Sequence, residues 1–346
     1  MTTLGKKDLA SCVASRLGMS MVLGRLRRLV HNDLRVLAYH RVLRRTPDSS
    51  YPFDKELISA NEEDFEWQVK HVVRHYQPVT GKDVADAIDN GRPLPRNAVM
   101  FTFDDGFDDN YHVAFPILRR HGVKATFFVT TGYIDSGDTF WFDKLVHLIL
   151  RTQAESITLD AVQHTVRPGR GEQSRRAVAA GLLRILKKCS QQTRLGALAQ
   201  LEQGAGVLLA DQDKAGSKPM TWEQVQEMAS AGMEIGSHSV THPILSTIQN
   251  EDELRFELGE SKATLERRLG TPVLSLAYPV GGKAAINANV LSATREAGYR
   301  IAFTNQTGTN HQGAIDRYAM LRLHVERYVS RERFEASLAV PELFAS

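Results

Sequence analysis

Two short runs of this sequence hold residue types that could do chemistry together. Phe101-Thr102-Phe103-Asp104-Asp105-Gly106 reads as an apolar strand that ends in two adjacent carboxylates and a glycine. Far downstream, Ser237-His238-Ser239-Val240-Thr241-His242-Pro243 presents two imidazoles four positions apart. One carboxylate and two imidazoles can hold a divalent transition metal, which leaves the second carboxylate free to take a proton from a water that the metal activates. Each run alone is ordinary, since paired Asp residues after a strand commonly serve turns or helix caps and His-x-x-x-His arises by chance. The pair says more. Both follow short apolar segments, Ala98 to Phe103 and Met233 to Gly236, and strand ends are where parallel α/β folds assemble their sites. The four-residue spacing predicts a helical turn carrying both rings on one face, within reach of one ion. A metal-dependent hydrolase is the first reading.

The surrounding elements alternate. Arg35 to His40 reads as a buried strand and Glu62 to Tyr76 as an amphipathic helix, followed by a short helix at Asp83 to Ile88. Strand Ala98 to Phe103 leads to a helix over Asn110 to His121, stopped by Gly122, and then to strand Lys124 to Thr130. Residues 135–218, which include Trp141-Phe142-Asp143 and two apolar helical patterns, break this rhythm and are expected to form a mostly helical insertion. The alternation resumes with helix Thr221 to Ala231, capped at Thr221, and strand Glu234 to Gly236. A long helix over Glu251 to Leu269 precedes strand Val273 to Tyr278. Helix Ile286 to Ala297 and strands Tyr299 to Phe303 and Met320 to Val325 complete the pattern. Such alternation implies a parallel sheet.

At the two chemical runs the sequence resembles the polysaccharide deacetylase family, also called carbohydrate esterase family 4 or the NodB-homology domain. Thr102 to Gly106 match its Thr-Phe-Asp-Asp-Gly motif, and His238 to Pro243 match His-Ser/Thr-x-x-His-Pro. The third motif, Arg-x-Pro-Tyr/Phe, takes a variant form in Ala277-Tyr278-Pro279-Val280-Gly281-Gly282. The resemblance implies an α/β fold, an irregular (β/α) barrel split into residues 34–134 and 219–346 around the insertion. It implies Asp105, His238 and His242 as ligands of a divalent metal, zinc first, with cobalt, nickel or iron also suited to such donors. Asp104 would be the general base, and the backbone N–H of Val280, next to Tyr278 and Pro279, would face the oxyanion. Leu321-Arg322-Leu323-His324 resembles the fifth motif and makes His324 the candidate acid, with His40 as the weaker alternative. The arginine of the third motif falls at Ala277, so the charge that steadies the base must come from elsewhere, with Arg322 and Arg300 as candidates. The Asp and Trp of the fourth motif have no counterpart around Thr304 to Thr309, and Asp108 and Asp109 are expected to cap the following helix.

The implied substrate is an N-acetylated amino sugar in a polysaccharide, a glycolipid or a sugar precursor. Two rivals keep parts of this reading: a metal-dependent cyclic amide hydrolase of the same fold, and a carbohydrate-binding homologue with weak turnover. Acetate release separates the first rival, and the effect of Asp104→Asn separates the second. Among 346 residues, 43 Lys and Arg against 40 Asp and Glu leave a net charge of +3, too little for a nucleic-acid footprint. Arginines crowd residues 1–45 without interleaved stacking aromatics, which also argues against nucleic acid. A basic amphipathic N-terminal helix over residues 1–33 would instead offer a peripheral contact to anionic lipid. No secretory pattern, no long apolar run and two distant cysteines, Cys12 and Cys189, lead to the expectation of a cytoplasmic protein, with membrane association through that helix.

Overall fold

The computed structural model describes residue 27 and residues 32–48, 50–209 and 216–345. The basic amphipathic helix expected over residues 1–33 lies almost wholly outside the described residues. Among those described, no helix is long and apolar enough to cross a membrane.

Seven strands build the centre: β1 Asp33–Tyr39, β2 Ala98–Phe103, β3 Thr126–Val129, β4 Glu234–Ser237, β5 Ser275–Ala277, β6 Ile301–Thr307 and β7 Met320–His324. Each pairs in parallel with the next. β7 then returns to β1, with Leu37 opposite Leu323 and Ala38 opposite His324, so the sheet closes into a barrel. Strands buried on both faces should be apolar throughout, and β1 and β2 are buried along their full lengths. Side-chain alternation sorts the residues into two layers. Val36, Met100, Phe128, Ala277, Phe303 and Met320 share one apolar cluster. Their neighbours Leu37, Phe101, Phe103 and Phe127 belong to a second cluster with the apolar faces of the helices, including Phe65, Val69 and Val225.

Helices α1 Glu62–His75 and α2 Gly81–Asp89 start where the sequence supplies caps. At α2, Thr80 and Asp83 form a reciprocal capping box. Residues 140–205 gather helices α3 Trp141–Arg151, α4 Glu172–Leu186 and α5 Gln191–Ala205 around their own apolar cluster. They also contain a two-stranded antiparallel piece, Ile157–Leu159 with His164–Val166, which helical periodicity did not disclose. Helix α6 Trp222–Ser230 begins at Thr221, whose partner in a capping box is Gln224. The long helix expected over Glu251 to Leu269 is interrupted: Glu251–Arg255 and Ser261–Leu269 are joined by a π-type turn at Phe256–Glu260.

One buried cation joins α3 to the barrel. Arg41 donates from Nε to Asp109 at 2.8 Å and from Nη2 to the Gly216 carbonyl at 2.7 Å, and its Nη1 lies 3.5 Å from Asp143. Asp143 also accepts the backbone N–H of Asp54 at 2.9 Å and the Ser217 hydroxyl. The expectation that Asp108 and Asp109 cap a helix therefore fails for Asp109. Its carboxylate makes no cap bond and instead binds Arg41 and the Val42 N–H at 3.0 Å. Asp108 lies 3.8 Å from Lys218.

Candidate metal centre

The two chemical runs meet at the C-terminal mouth of the barrel. Asp104 and Asp105 follow β2 directly, and a tight turn sends them apart: Gly106 N–H donates to the Asp104 carbonyl at 2.9 Å, with Asp105 at φ 73°. A γ-turn of this hand is rare and strained. His238 and His242 follow β4, yet they do not ride a helical turn as the spacing predicted. They stand on an irregular loop in which Ser239 (φ 64°) and His242 (φ 57°) are left-handed. Four of the six non-glycine residues with positive φ among the described residues are Asp105, Ser239, His242 and Val280. Each such residue costs about 1–3 kcal/mol and persists only where its surroundings over-determine it.

Those surroundings are visible for the imidazole loop. Glu257, buried on the π-type turn, accepts the N–H groups of Val240 and Thr241 at 2.8 and 2.9 Å and the Thr241 hydroxyl at 2.6 Å. From the other side, the N–H groups of Thr131 and Gly132 donate to the carbonyls of Ser239 and Val240. A Cβ at Gly132 would lie 2.6 Å from the Val240 oxygen, so that approach requires glycine. Neither Glu257 nor Gly132 carries a sequence signal. Glu257 is one of several acids on a charged helix, and it is buried where that helix takes its π-type turn.

The result is a buried three-residue cluster, Asp105, His238 and His242, whose ligand atoms lie within 4.8 Å of one another. Asp105 Oδ1 is 3.4 Å from His238 Nε2 and 3.2 Å from His242 Nε2. His238 Nδ1 lies 2.8 Å from the Ala277 carbonyl and donates to it, which leaves the Nε2 lone pair of the neutral ring facing the carboxylate. A carboxylate opposite an imidazole lone pair calls for a positive charge between them. Separations of this order are those imposed by bonds of about 2.0–2.2 Å to one tetrahedral ion. The residues therefore fit a divalent metal, and the second-layer carbonyl on His238 is the usual way to orient such a ligand. Burial opposes ionisation of Asp105, but positive charge on the imidazole side of the contact prevails over it and holds the carboxyl well below the ordinary range.

Asp104, 2 % exposed, belongs to a different partner. Arg322 of β7 donates from Nη1 to Oδ1 at 2.8 Å and from Nη2 to Oδ2 at 2.7 Å, a bidentate clamp. Arg322 Nε donates to the Thr304 carbonyl at 2.7 Å, which fixes the fork. Burial pushes the Asp104 carboxyl up, but the guanidinium overrides it and holds it at about 2. Of the two arginines named from sequence, Arg322 thus supplies the missing charge. Arg300 lies elsewhere, paired with Asp86 and Asp89 beside α2.

A cavity of about 240 Å³ opens over the cluster. Its lining includes His40, Asp104, Asp105, Val280, Asn305 and His324. His40 Nε2 is 3.9 Å from Asp104 Oδ2. His324 Nε2 sits 3.2 Å from the Asn305 carbonyl, and burial, reinforced by the charge of Arg322, pushes its pKa down to about 4. Val280 is left-handed at φ 61°, and its N–H donates to no acceptor among the described residues. Pro279 does not line the cavity. Tyr278 lines it, but its hydroxyl is turned into the barrel's surroundings, donating to the Tyr318 carbonyl at 3.0 Å. Sequence reasoning passed over the lining residues Phe142, Lys187 and Asn305. Phe142, from α3, sets its ring edge to face against His242, centroids 5.5 Å apart.

Fold and site together define a class: a closed parallel (β/α) barrel whose mouth holds an Asp-His-His cluster beside an arginine-clamped aspartate. A family model described as polysaccharide deacetylase matches residues 91–302, and the chain belongs to that family. It is 22 % identical over 263 residues to the putative polysaccharide deacetylase YxkH of Bacillus subtilis, covering 75 % of this chain and 63 % of that protein. Over 106 residues it is 32 % identical to the poly-beta-1,6-N-acetyl-D-glucosamine N-deacetylase of Escherichia coli, covering 31 % of this chain and 15 % of that protein. The chain thus spans less than two thirds of either relative. Among solved structures, the fold is shared with the Streptococcus pyogenes deacetylase PplD in complex with acetate (TM-score 0.59, 18 % identity, 91 % of this chain and 100 % of that chain). It is shared also with IcaB from Ammonifex degensii (TM-score 0.56, 20 % identity, 89 % and 97 %).

Proposed function

We propose that this protein is a divalent-metal-dependent N-deacetylase that removes the acetyl group from an N-acetylated amino sugar of a glycan. The observation that carries the reading is the meeting of Asp105, His238 and His242 in one buried cluster beside an aspartate that Arg322 keeps ionised. When bound, the cation, zinc being the first candidate, would activate the attacking water and polarise the acetamide carbonyl. Asp104 takes the proton from that water. Its low basicity costs driving force, while the clamp ensures that the carboxylate is ionised and aimed at every working pH. The Val280 N–H, which has no acceptor among the described residues, would donate to the oxygen that gains charge as the carbonyl becomes tetrahedral. Protonation of the departing amine falls to His324 or His40. His324 donates its Nε2 hydrogen to Asn305, so it acts as an acid only after gaining a second proton.

Oligomers of β-1,6-linked N-acetylglucosamine are the first substrate to try, since the E. coli relative is named for that polymer. Lipid-linked and nucleotide-linked N-acetyl sugars form the second arm, and chitooligomers the third. Acetate release is the readout, with chelation and restoration by zinc, cobalt, nickel or iron in turn. No acetate from any arm with the metal restored would end the reading.

A further inference from the structure

The end of β6 carries a half-buried asparagine to which the chemistry above gives no task. Asn305 stands where three parts of the site meet. Its backbone N–H donates to the Gly281 carbonyl at 2.7 Å, which fixes the turn that presents the Val280 N–H. The approach depends on glycine, because a Cβ at Gly281 would lie 2.6 Å from the Asn305 nitrogen. Its carbonyl accepts from His324 at 3.2 Å. Its side-chain Oδ1 lies 3.5 Å from Arg322 Nη2.

The last contact settles which way the amide faces. The flipped arrangement would set an NH2 group against guanidinium N–H, donor against donor. With Oδ1 on Arg322, the two Nδ2 hydrogens remain, and they meet no acceptor among the described residues although Asn305 lines the cavity. A polar group held from behind by one cation, with its donors turned to the open side, is preorganised for a ligand oxygen.

Resting on the deacetylase reading, we propose that the Asn305 carboxamide is a substrate-binding group that donates from Nδ2 to a hydroxyl or acetamido oxygen of the N-acetylated sugar. The chemistry restricts what can sit there. Nδ2 only donates, and Arg322 stands directly behind, so this point of the cavity accepts an oxygen and rejects an ammonium.

The test uses binding as well as turnover, so that it does not depend on catalysis. In an Asp104→Asn parent, which keeps the proposed metal ligands and should turn over too slowly to matter during a titration, the dissociation constant for β-1,6-linked N-acetylglucosamine oligomers is measured by calorimetry. Asn305→Ala and Asn305→Ser leave the backbone contacts to Gly281 and His324 in place. Each should weaken binding roughly 3–10-fold, the usual yield of one hydrogen bond, with melting temperature and metal content unchanged. In the otherwise native chain the same variants should raise KM by that factor and leave kcat within about threefold. Asn305→Asp, equal in size but unable to donate, should lose at least as much as Asn305→Ala. Binding of the alanine and serine variants within twofold of the parent would overturn the proposal, as would a parent that does not bind the oligomer. Failure of the deacetylase reading looks different: the oligomer binds, and the native chain releases no acetate.

Discussion

Two arginines on neighbouring parts of the barrel show what position does to the same side chain. Arg322, fully buried at the C-terminal mouth, grips Asp104 through both terminal nitrogens. Arg300 just precedes β6 at the opposite end, where it binds Asp86 and Asp89 beside a second arginine, Arg317. The contacts are equally short, 2.6 to 2.7 Å at their closest. Their consequences differ, because water screens the pairs at the outer end and is excluded from the clamp. Contact length alone therefore says little about what an ion pair does; the medium around it decides.

The comparison can be broken at several points, and the largest effect belongs to the anion. Asp104→Asn should lower kcat for acetate release about 10²–10⁴-fold while the protein still takes up its metal, as measured by elemental analysis. Arg322→Met comes next. It strands a buried carboxylate and should cost about 3–5 kcal/mol near neutral pH in denaturant unfolding. With the guanidinium gone, burial, the largest influence on Asp104, is opposed only by His238 and His40, so its pKa should rise past the ordinary carboxylate value and the acid limb of kcat/KM should move upward. The pH dependence of stability should reverse with it. In the native chain the Asp104 contribution is complete above about pH 4 and lost as pH falls toward about 2, the value at which the clamp holds it. In Arg322→Met, stability should improve as pH falls and the stranded group takes a proton. A flat kcat/KM acid limb in that variant would remove the clamp from the mechanism.

A smaller change is expected from Arg41→Met, which leaves Asp109 and Asp143 near each other without their cation but keeps Tyr51 and Ser217 as polar neighbours. Limited proteolysis should cut more readily within residues 140–205, with metal content retained. Arg300→Ala should be the mildest. Its melting temperature and acetate release should stay within error of the parent, as is usual for screened pairs at a surface. A large loss there would mean that the outer end of the barrel matters to the mouth.

The same contrast explains what could be read from the chain. Asp104, Asp105, His238 and His242 are legible because each pair is local in sequence and follows an apolar strand. The helices were legible from caps and periodicity, as at Thr221, and from stop glycines such as Gly270. The choice between Arg322 and Arg300 was not legible. It depends on β7 pairing with β1 to close the ring, a relation between residues nearly the whole chain apart. The conformation of the imidazole loop was misread for a similar reason. A helical turn satisfies its own backbone, whereas this loop is held open by Glu257 and by residues 131–132, which no local pattern announces. Tyr278 shows the limit of a motif, which places a residue in the right segment without saying that its hydroxyl turns toward Tyr318.

The Arg41 junction carries a last consequence. Swinging residues 140–205 away from the barrel would strip the buried Asp143 carboxylate of Arg41, the Asp54 N–H and the Ser217 hydroxyl in a single movement, and Phe142 would leave His242 with it. The contacts of Asp143 thus hold residues 140–205 in place beside the mouth. On the deacetylase reading, a glycan would reach the cluster across a rim held in place by that junction.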